Sequence, residues 1–115
     1  IKVVDLGPKD NKSVDYPDFA DTLAVEIYSG RAGRGVLICG TGIGMSMAAN
    51  RKSFIRAALC HGTTEARLAR QHNNANVLVV GARTMGIEAV RDCLRVFLET
   101  PFEGGRHQRR VDKMS

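Results

Sequence analysis

The sequence predicts an α/β fold in which a parallel sheet carries helices on both faces. Three short apolar segments, Gly35–Cys39, Ile55–Cys60 and Asn76–Val80, have the composition of strands buried on both sides, and a segment with helical periodicity follows each one. Strand–helix alternation of this kind produces a parallel sheet in three layers. With 115 residues, 43% of them hydrophobic, the chain can fill one core and not two, so we predict a single domain over residues 1–115.

The other predicted elements extend this pattern along the chain. Ile1–Gly7 has the β-branched, glycine-terminated composition of a further strand. The first helix is expected to begin at Pro17, where Asp18 and Asp21 complement the positive end of the helix dipole, and to end near Gly30. The later helices are predicted from the glycine-rich turn to about Asn50, at Thr63–Gln71 and at Met85–Leu98.

Residues 101–115 form a basic arm outside the alternating pattern. Pro101 and the pair Gly104–Gly105 interrupt the periodicity, and the charged segment after them has little apolar surface, so we expect it to pack on a partner subunit. If the arm is helical, Arg106 and Arg110 share a face and can bind one phosphate; a solvated basic tail is the alternative.

The net charge of +5 suits a small polyanion as well as a large one, but aromatic residues (5%) do not interleave with the basic ones. We therefore expect no nucleic-acid partner.

Composition also limits the compartment and the cofactors. No apolar run approaches the roughly 18 residues that cross a bilayer, and no signal-peptide pattern opens the sequence, so we expect a cytoplasmic protein without membrane partners. Cys39, Cys60 and Cys93 are odd in number and widely spaced. This spacing argues against a disulfide framework or a zinc site.

The strongest chemical signal is the segment Cys39–Ser46. It places a thiol at the C-terminal end of a strand, followed by a glycine-rich turn and a helix N-terminus, which is where open parallel sheets bind ligands. Backbone N–H groups that converge in such a turn stabilise an oxyanion and favour a nearby thiolate, which can take a proton from carbon next to a carbonyl. The glycines match neither a P-loop nor G-x-G-x-x-G, and a small buried cysteine is the alternative for Cys39.

Two further polar groups lie at the predicted ends of elements. His72 and Asn73 come at the end of a predicted helix, where they are either helix-ending residues or a proton carrier and an amide ligand for hydroxyl groups. Arg83 follows the strand Asn76–Val80, so we expect it at the same sheet edge as Cys39.

Five segments carry a family resemblance: Val14–Ala20, Cys39–Asn50, Ile55–His61, His72–Asn76 and Phe102–Val111. Taken in order, they resemble the RpiB/LacAB family of sugar-phosphate isomerases, and more closely its ribose-5-phosphate isomerase B branch. The resemblance spans nearly the whole chain, and its motifs are specific because of their length and order. It implies a Rossmann-like three-layer fold and a site built between two subunits, hence a homodimer or a tetramer.

The resemblance also implies roles for individual residues. Cys39 would move a proton between C2 and C1 of the open-chain sugar, Thr41 would assist proton exchange at oxygen, and His72 would help to open the furanose ring. Arg83, Arg106 and Arg110 would hold the phosphate, and no metal or organic cofactor is implied. The implied substrate-binding residues are Tyr16, Gly40, Gly42, Ile43, Gly44, Asn73, Arg83, Arg106 and Arg110.

The chain departs from the family pattern in a few places. Family members begin with a further strand and helix whose first turn carries an Asp-His pair, whereas this sequence begins at what resembles the second strand. Because a missing central strand would leave unpaired edges, we expect residues to precede Ile1. Gly62, Phe54 and Asn74 stand where the family commonly has aspartate, glycine and aspartate.

The sequence is compatible with three functions. The leading hypothesis is interconversion of ribose 5-phosphate and ribulose 5-phosphate through an enediolate, with Cys39 as base. A close alternative is isomerisation of a hexose 6-phosphate such as allose or galactose 6-phosphate. A different class of answer is a non-catalytic module that binds phosphosugars or nucleic acid.

Overall fold

The computed structural model describes residues 1–10 and 12–115 as an α/β unit of three strands and five helices. No helix in these two stretches is both long and apolar enough to cross a bilayer. In chain order the elements are α1 (Tyr16–Tyr28), β1 (Gly35–Cys39), α2 (Ile43–Ala49), β2 (Ala57–Leu59), α3 (Thr63–Asn73), β3 (Val77–Gly81), α4 (Ile87–Glu99) and α5 (Arg106–Met114).

The three strands form a parallel sheet in the order β1-β3-β2. β3 is the central strand and pairs with β1 from Gly35–Val77 to Cys39–Gly81, so the C-terminal ends of both strands lie at one edge. β3 is buried throughout, as its uninterrupted apolar sequence predicts. The predicted fold class is confirmed, and the boundaries of the helices predicted in the alternating region are displaced by at most two residues.

The alternation of side chains along β3 divides the core into two layers. Val77 and Val79 pack with α1 and α2 on one face, whereas Leu78 and Val80 pack with α3 and α4 on the other. Cys93 and Phe97 of α4 are fully buried in the second layer. Helices therefore cover both faces of the sheet, in the three-layer arrangement expected from the sequence.

The N-terminal strand prediction is wrong for the residues the structure describes. Residues 1–9 have no regular secondary structure, and Ile1, Val3 and Val4 are exposed. Only Leu6 of this segment is packed against the core. A strand requires a neighbour that pairs with its backbone, and apolar composition alone does not supply one.

The C-terminal arm is helical and attached to its own chain. Val111 is the buried residue of α5, and α5 packs against α3. The buried Arg70 donates to the Thr100 carbonyl, and the Glu103 N–H donates to the Gln71 carbonyl, so the arm is fixed to the end of α3. The arm thus has an intramolecular contact, while its packing on a partner subunit stays a prediction.

Candidate active site

The Cys39 thiol lies in the turn between β1 and α2. Its Sγ accepts a hydrogen bond from the Gly42 N–H at 3.1 Å, and the Thr41 Oγ1 accepts one from the Ile43 N–H at 3.2 Å. Gly42 has φ +81°, a left-handed conformation that glycine adopts without strain. The turn thus directs one amide hydrogen towards the Cys39 sulfur and one towards the Thr41 hydroxyl. α2 begins directly beyond it and adds the partial positive charge of a helix N-terminus.

Close packing beneath this turn explains Gly42 in the turn and Gly81 at the end of β3. A Cβ on Gly42 would lie 2.5 Å from Leu59 Cδ1, and a Cβ on Gly81 would lie 2.6 Å from the backbone carbonyl of Thr41. The end of β3 therefore supports the Cys39 turn from below. The Ala82 and Arg83 N–H groups donate to the Cys39 and Gly40 carbonyls, both at 2.8 Å, and this fixes the segment that carries Arg83.

A pocket of about 410 Å³ opens above the turn. Arg83 forms one wall, 3.4 Å from where a Cβ on Gly40 would lie, and Tyr16 at the start of α1 forms another wall directly against Gly44. Cys39 is neither buried nor fully exposed, so its sulfur can be reached from the pocket. The lining residues are Tyr16, Cys39, Gly40, Thr41, Gly44 and Arg83.

The other predicted site residues lie at the opposite end of the sheet. His72 and Asn73 end α3, and Asn74 stops that helix in a left-handed conformation (φ 48°) just before β3 begins. Arg106 and Arg110 are exposed on α5. A second cavity of about 410 Å³ beside β2 includes Asn73 but no thiol or glycine-rich turn.

Within one chain these two groups do not meet. Cys39 pairs with Gly81 at the C-terminal end of β3, whereas Asn73 lies at the strand's N-terminal end, and the four residue steps of β3 span about 13 Å. The pocket lining accordingly contains Arg83 without Arg106 or Arg110. The structure thus brings together Tyr16, Arg83 and the Cys39 turn, and separately His72, Asn73 and the arginines of α5.

Sequence reasoning missed two residues beside His72. The His72 and His107 rings are stacked, with centroids 4.3 Å apart and planes 13° apart, and Glu103 Oε1 lies 3.9 Å from His72 Nε2 and 3.6 Å from His107 Nε2. The i, i+4 spacing of Glu103 and His107 was the available signal, but the contact with His72 depends on how the arm folds back.

These three side chains are also the candidate metal ligands, with ligand atoms within 4.8 Å of one another. Two features disfavour a divalent cation there. Nearly parallel stacked rings do not direct their nitrogen lone pairs to one point, and the positive charges of Arg106 and Arg110 act on His107. We therefore interpret the cluster as two rings that share one carboxylate.

The other two thiols are enclosed in the core. Burial, followed by the charge of Glu65 and by Cys93, raises the pKa of Cys60 to about 12. Burial, followed by the charges of Asp92 and Glu65, raises the pKa of Cys93. Both groups are held as inert thiols at neutral pH, in contrast to the accessible Cys39.

Comparison with known proteins identifies the class. The model of the ribose/galactose isomerase family matches residues 1–114. The chain therefore belongs to this family of sugar-phosphate isomerases, which confirms the resemblance noted in the sequence.

Individual relatives carry more specific names. The chain is 47% identical to the putative sugar phosphate isomerase YwlF of Bacillus subtilis, covering 100% of this chain and 78% of the relative. It is 48% identical to a D-erythrulose-4-phosphate isomerase of Pectobacterium atrosepticum, covering 86% of this chain and 65% of the relative. A crystal structure of a ribose 5-phosphate isomerase from Thermotoga maritima superposes with a TM-score of 0.97 at 53% identity, covering 99% of this chain and 79% of that one.

Proposed function

We propose that this protein interconverts ribose 5-phosphate and ribulose 5-phosphate, with Cys39 as the proton-transferring base. The observation that carries the proposal is the Cys39 turn, where a reachable sulfur receives the Gly42 N–H at 3.1 Å beside the N-terminus of α2. Aldose–ketose isomerisation requires a base beside donors that stabilise a developing enediolate. The structural relative named as a ribose 5-phosphate isomerase supports the pentose substrate.

The proposed chemistry is a proton relay without net oxidation. The Cys39 thiolate takes the proton from C2 of the open-chain aldose, and the C1 carbonyl becomes an enediolate oxygen. The same thiol then returns a proton to C1, while the Thr41 hydroxyl assists the transfer of a proton between the two sugar oxygens. The N–H groups of the turn that spans residues 40–44 stabilise the negative oxygen, and loss of one such donor typically costs about 10² to 10³ in rate.

The proposed site is completed by a second copy of the chain. His72 and Asn73, with Arg106 and Arg110 on α5, lie about 13 Å or more along the sheet from Cys39 in the same chain. Groups at opposite ends of one sheet can share a substrate when two copies pack antiparallel around a twofold axis, so that one end of each sheet faces the other end of its partner's sheet. In this arrangement one copy supplies the base and Arg83, and its partner supplies the ring-opening histidine and the remaining phosphate contacts.

Sugar phosphates of two other lengths are the alternatives to the pentose substrate. The relative from Pectobacterium atrosepticum is named for a four-carbon ketose phosphate and is 48% identical, so a tetrose 4-phosphate is a second candidate substrate. A hexose 6-phosphate, allose or galactose, needs the same chemistry with a longer pocket.

The test compares turnover of D-ribose 5-phosphate, D-allose 6-phosphate and D-erythrose 4-phosphate by the wild type and by Cys39→Ala. We expect the highest kcat/KM with the pentose, and a loss of at least about 10³-fold in Cys39→Ala with retained binding of a phosphate ligand. Faster turnover of another sugar would replace the pentose. Wild-type rates in Cys39→Ala would remove Cys39 from the mechanism, and absence of turnover with all three sugars would favour a non-catalytic binding module.

A further inference from the structure

His72 is held on two sides by residues of the C-terminal arm. The His107 ring stacks on it at 4.3 Å, with planes 13° apart, and the Glu103 carboxylate lies beside the Nε2 atoms of both rings. His72 has 41% of its side chain exposed, whereas His107 has only 12%. The outer ring of the stack can therefore reach a ligand, and the inner ring supports it.

The charges around the stack distinguish the two rings. Burial, then His72 and Arg106, lower the pKa of His107, and Arg110 acts in the same direction while Glu103 opposes it. A neutral His107 can stack on a protonated or a neutral His72 without repulsion. The single carboxylate of Glu103 can then compensate the one positive charge that appears when His72 takes up a proton.

The backbone fixes the position of Glu103. Its N–H donates to the Gln71 carbonyl at 3.1 Å, one residue before His72, and the His107 N–H donates to the Gly104 carbonyl at 3.0 Å. Just before this segment, Arg70 binds the Thr100 carbonyl at 3.1 Å. Glu103 and His107 are thus tied to the same end of α3 that carries His72.

We propose that Glu103 and His107 are positioning residues that hold the His72 ring in the orientation needed to open the furanose form of the substrate. The inference rests on the proposed isomerase function and on the ring-opening role of His72. In the step, the C1–O4 bond breaks, O4 receives a proton from His72, and the C1 hydroxyl loses its proton to water as the C1 carbonyl forms. His72 is the group that exchanges a proton, Glu103 compensates its charge, and His107 restricts its rotation.

Substrates that form a ring and substrates that stay open-chain should differ in their dependence on Glu103 and His107. D-Ribose 5-phosphate closes to a furanose through O4, whereas D-erythrose 4-phosphate cannot, because its O4 carries the phosphate. A residue that serves only ring opening is therefore needed for the pentose and not for the tetrose. An acyclic hydroxamate that mimics the enediolate and carries a phosphate offers a binding probe that also has no ring to open.

The experiment measures kcat and KM for both sugars, and the Kd of the hydroxamate, in the full chain. Glu103→Gln removes the charge at constant size, His107→Ala removes the stacked ring, and His107→Phe restores a stacked ring without nitrogens. Asp92→Asn on the exposed side of α4 is the matched control for loss of a carboxylate. With ribose 5-phosphate we expect kcat to fall by about tenfold or more in Glu103→Gln and His107→Ala, to recover in His107→Phe and to stay unchanged in Asp92→Asn.

With the acyclic hydroxamate we expect an unchanged Kd in every variant, and with erythrose 4-phosphate an unchanged kcat wherever the wild type turns it over. Equal losses on ring-forming and acyclic ligands would overturn the proposal, because these residues would then serve binding or folding. Unchanged pentose kcat in both Glu103→Gln and His107→Ala would overturn it as well, while leaving the isomerase function intact. A wild type without turnover of any sugar phosphate would instead remove the proposed function.

Discussion

Tyr16 and Gly44 fit together so closely that the phenol ring occupies the space of a side chain on Gly44. A Cβ at Gly44 would overlap the Tyr16 hydroxyl and lie 2.6 Å from Cζ. Gly44 is in the first turn of α2 and Tyr16 is the first residue of α1, so this contact sets the distance between the two helix starts at the pocket. The width of the pocket above Cys39 thus depends on glycine at position 44.

Gly44→Ala is expected to lower kcat/KM by displacing either the tyrosine or the glycine-rich turn. A displacement of about 1 Å at reacting groups can cost about 10²-fold in rate. Steady-state kinetics of Gly44→Ala, Tyr16→Ala and the double variant provide the measurement. Because the two residues touch, we expect a coupling of about 0.5–3 kcal/mol in the double-mutant cycle. Strictly additive effects would mean that the two side chains act independently.

Alkylation of the native protein with iodoacetamide at pH 8 is expected to modify Cys39 alone. The thiolate is the reactive form, and with its pKa raised to about 12 only about one Cys60 thiol in ten thousand is ionised at this pH. Burial also raises the pKa of Cys93 and blocks access to it. Peptide mass spectrometry should find the label on Cys39, with a parallel loss of turnover.

Two controls complete the alkylation experiment. Phosphate-ester ligands should slow the modification of Cys39, because the proposed function places them in the same pocket, and unfolding in urea should expose all three thiols. Label on Cys60 or Cys93 in the native protein at a comparable rate would contradict the burial that the structure gives them.

Local sequence patterns were sufficient to predict the three strands of the sheet and the Cys39 turn. β3 is apolar in every position because both of its faces are covered, and the turn after Cys39 requires glycine at position 42, where φ is +81°. The stack of His72 on His107 joins residues that are 35 positions apart in the sequence. It forms because the arm folds back on α3, and no local periodicity encodes this contact. The strand predicted at Ile1–Gly7 is wrong for the same reason, because strand formation depends on a distant pairing partner.

Two inactive variants are expected to restore activity when they are mixed. If Cys39 and the His72 group act across a twofold interface, a mixed dimer of Cys39→Ala with the double variant His72→Ala/Arg106→Ala contains one site with neither change. Random exchange of subunits gives half mixed dimers with one intact site in two, or about a quarter of wild-type activity. The measurement is turnover after co-expression or refolding of the mixture.

The matched negative control mixes Cys39→Ala with Thr41→Val. These residues belong to the same pocket, so every site in a mixed dimer carries one of the changes and no recovery is expected. Recovery in both mixtures, or an active wild type with the mass of a single chain, would contradict a site shared between two copies.

Arg106→Ala and Arg110→Ala are expected to raise KM more than they lower kcat. Both guanidinium groups are exposed on the same face of α5, and a lost hydrogen bond to a charged group costs about 1.5–3 kcal/mol, or about ten- to a hundredfold. Arg109→Ala removes an exposed charge from the same helix and should leave KM unchanged. The measurement is the KM for ribose 5-phosphate in the three variants at one ionic strength. Equal effects of all three substitutions would indicate a general field of positive charge instead of specific binding of the phosphate.

The free energy of unfolding is expected to fall as the pH rises above about 9, and Cys60 is one cause. In the unfolded chain a thiol loses its proton near pH 8.5, whereas the folded protein holds the proton on Cys60 up to about pH 12. Between these values unfolding releases a proton, so higher pH favours the unfolded state by up to about 1.4 kcal/mol per pH unit for each such thiol. Below about pH 8 the Cys60 thiol is protonated in both states, so the stability is fully present there.

Urea unfolding of the wild type and of Cys60→Ala from pH 7 to 11 measures the effect. The variant loses packing at every pH, but its free energy of unfolding should decline less steeply above pH 9, whereas parallel curves would show that Cys60 ionises as readily in the folded protein as in the unfolded chain.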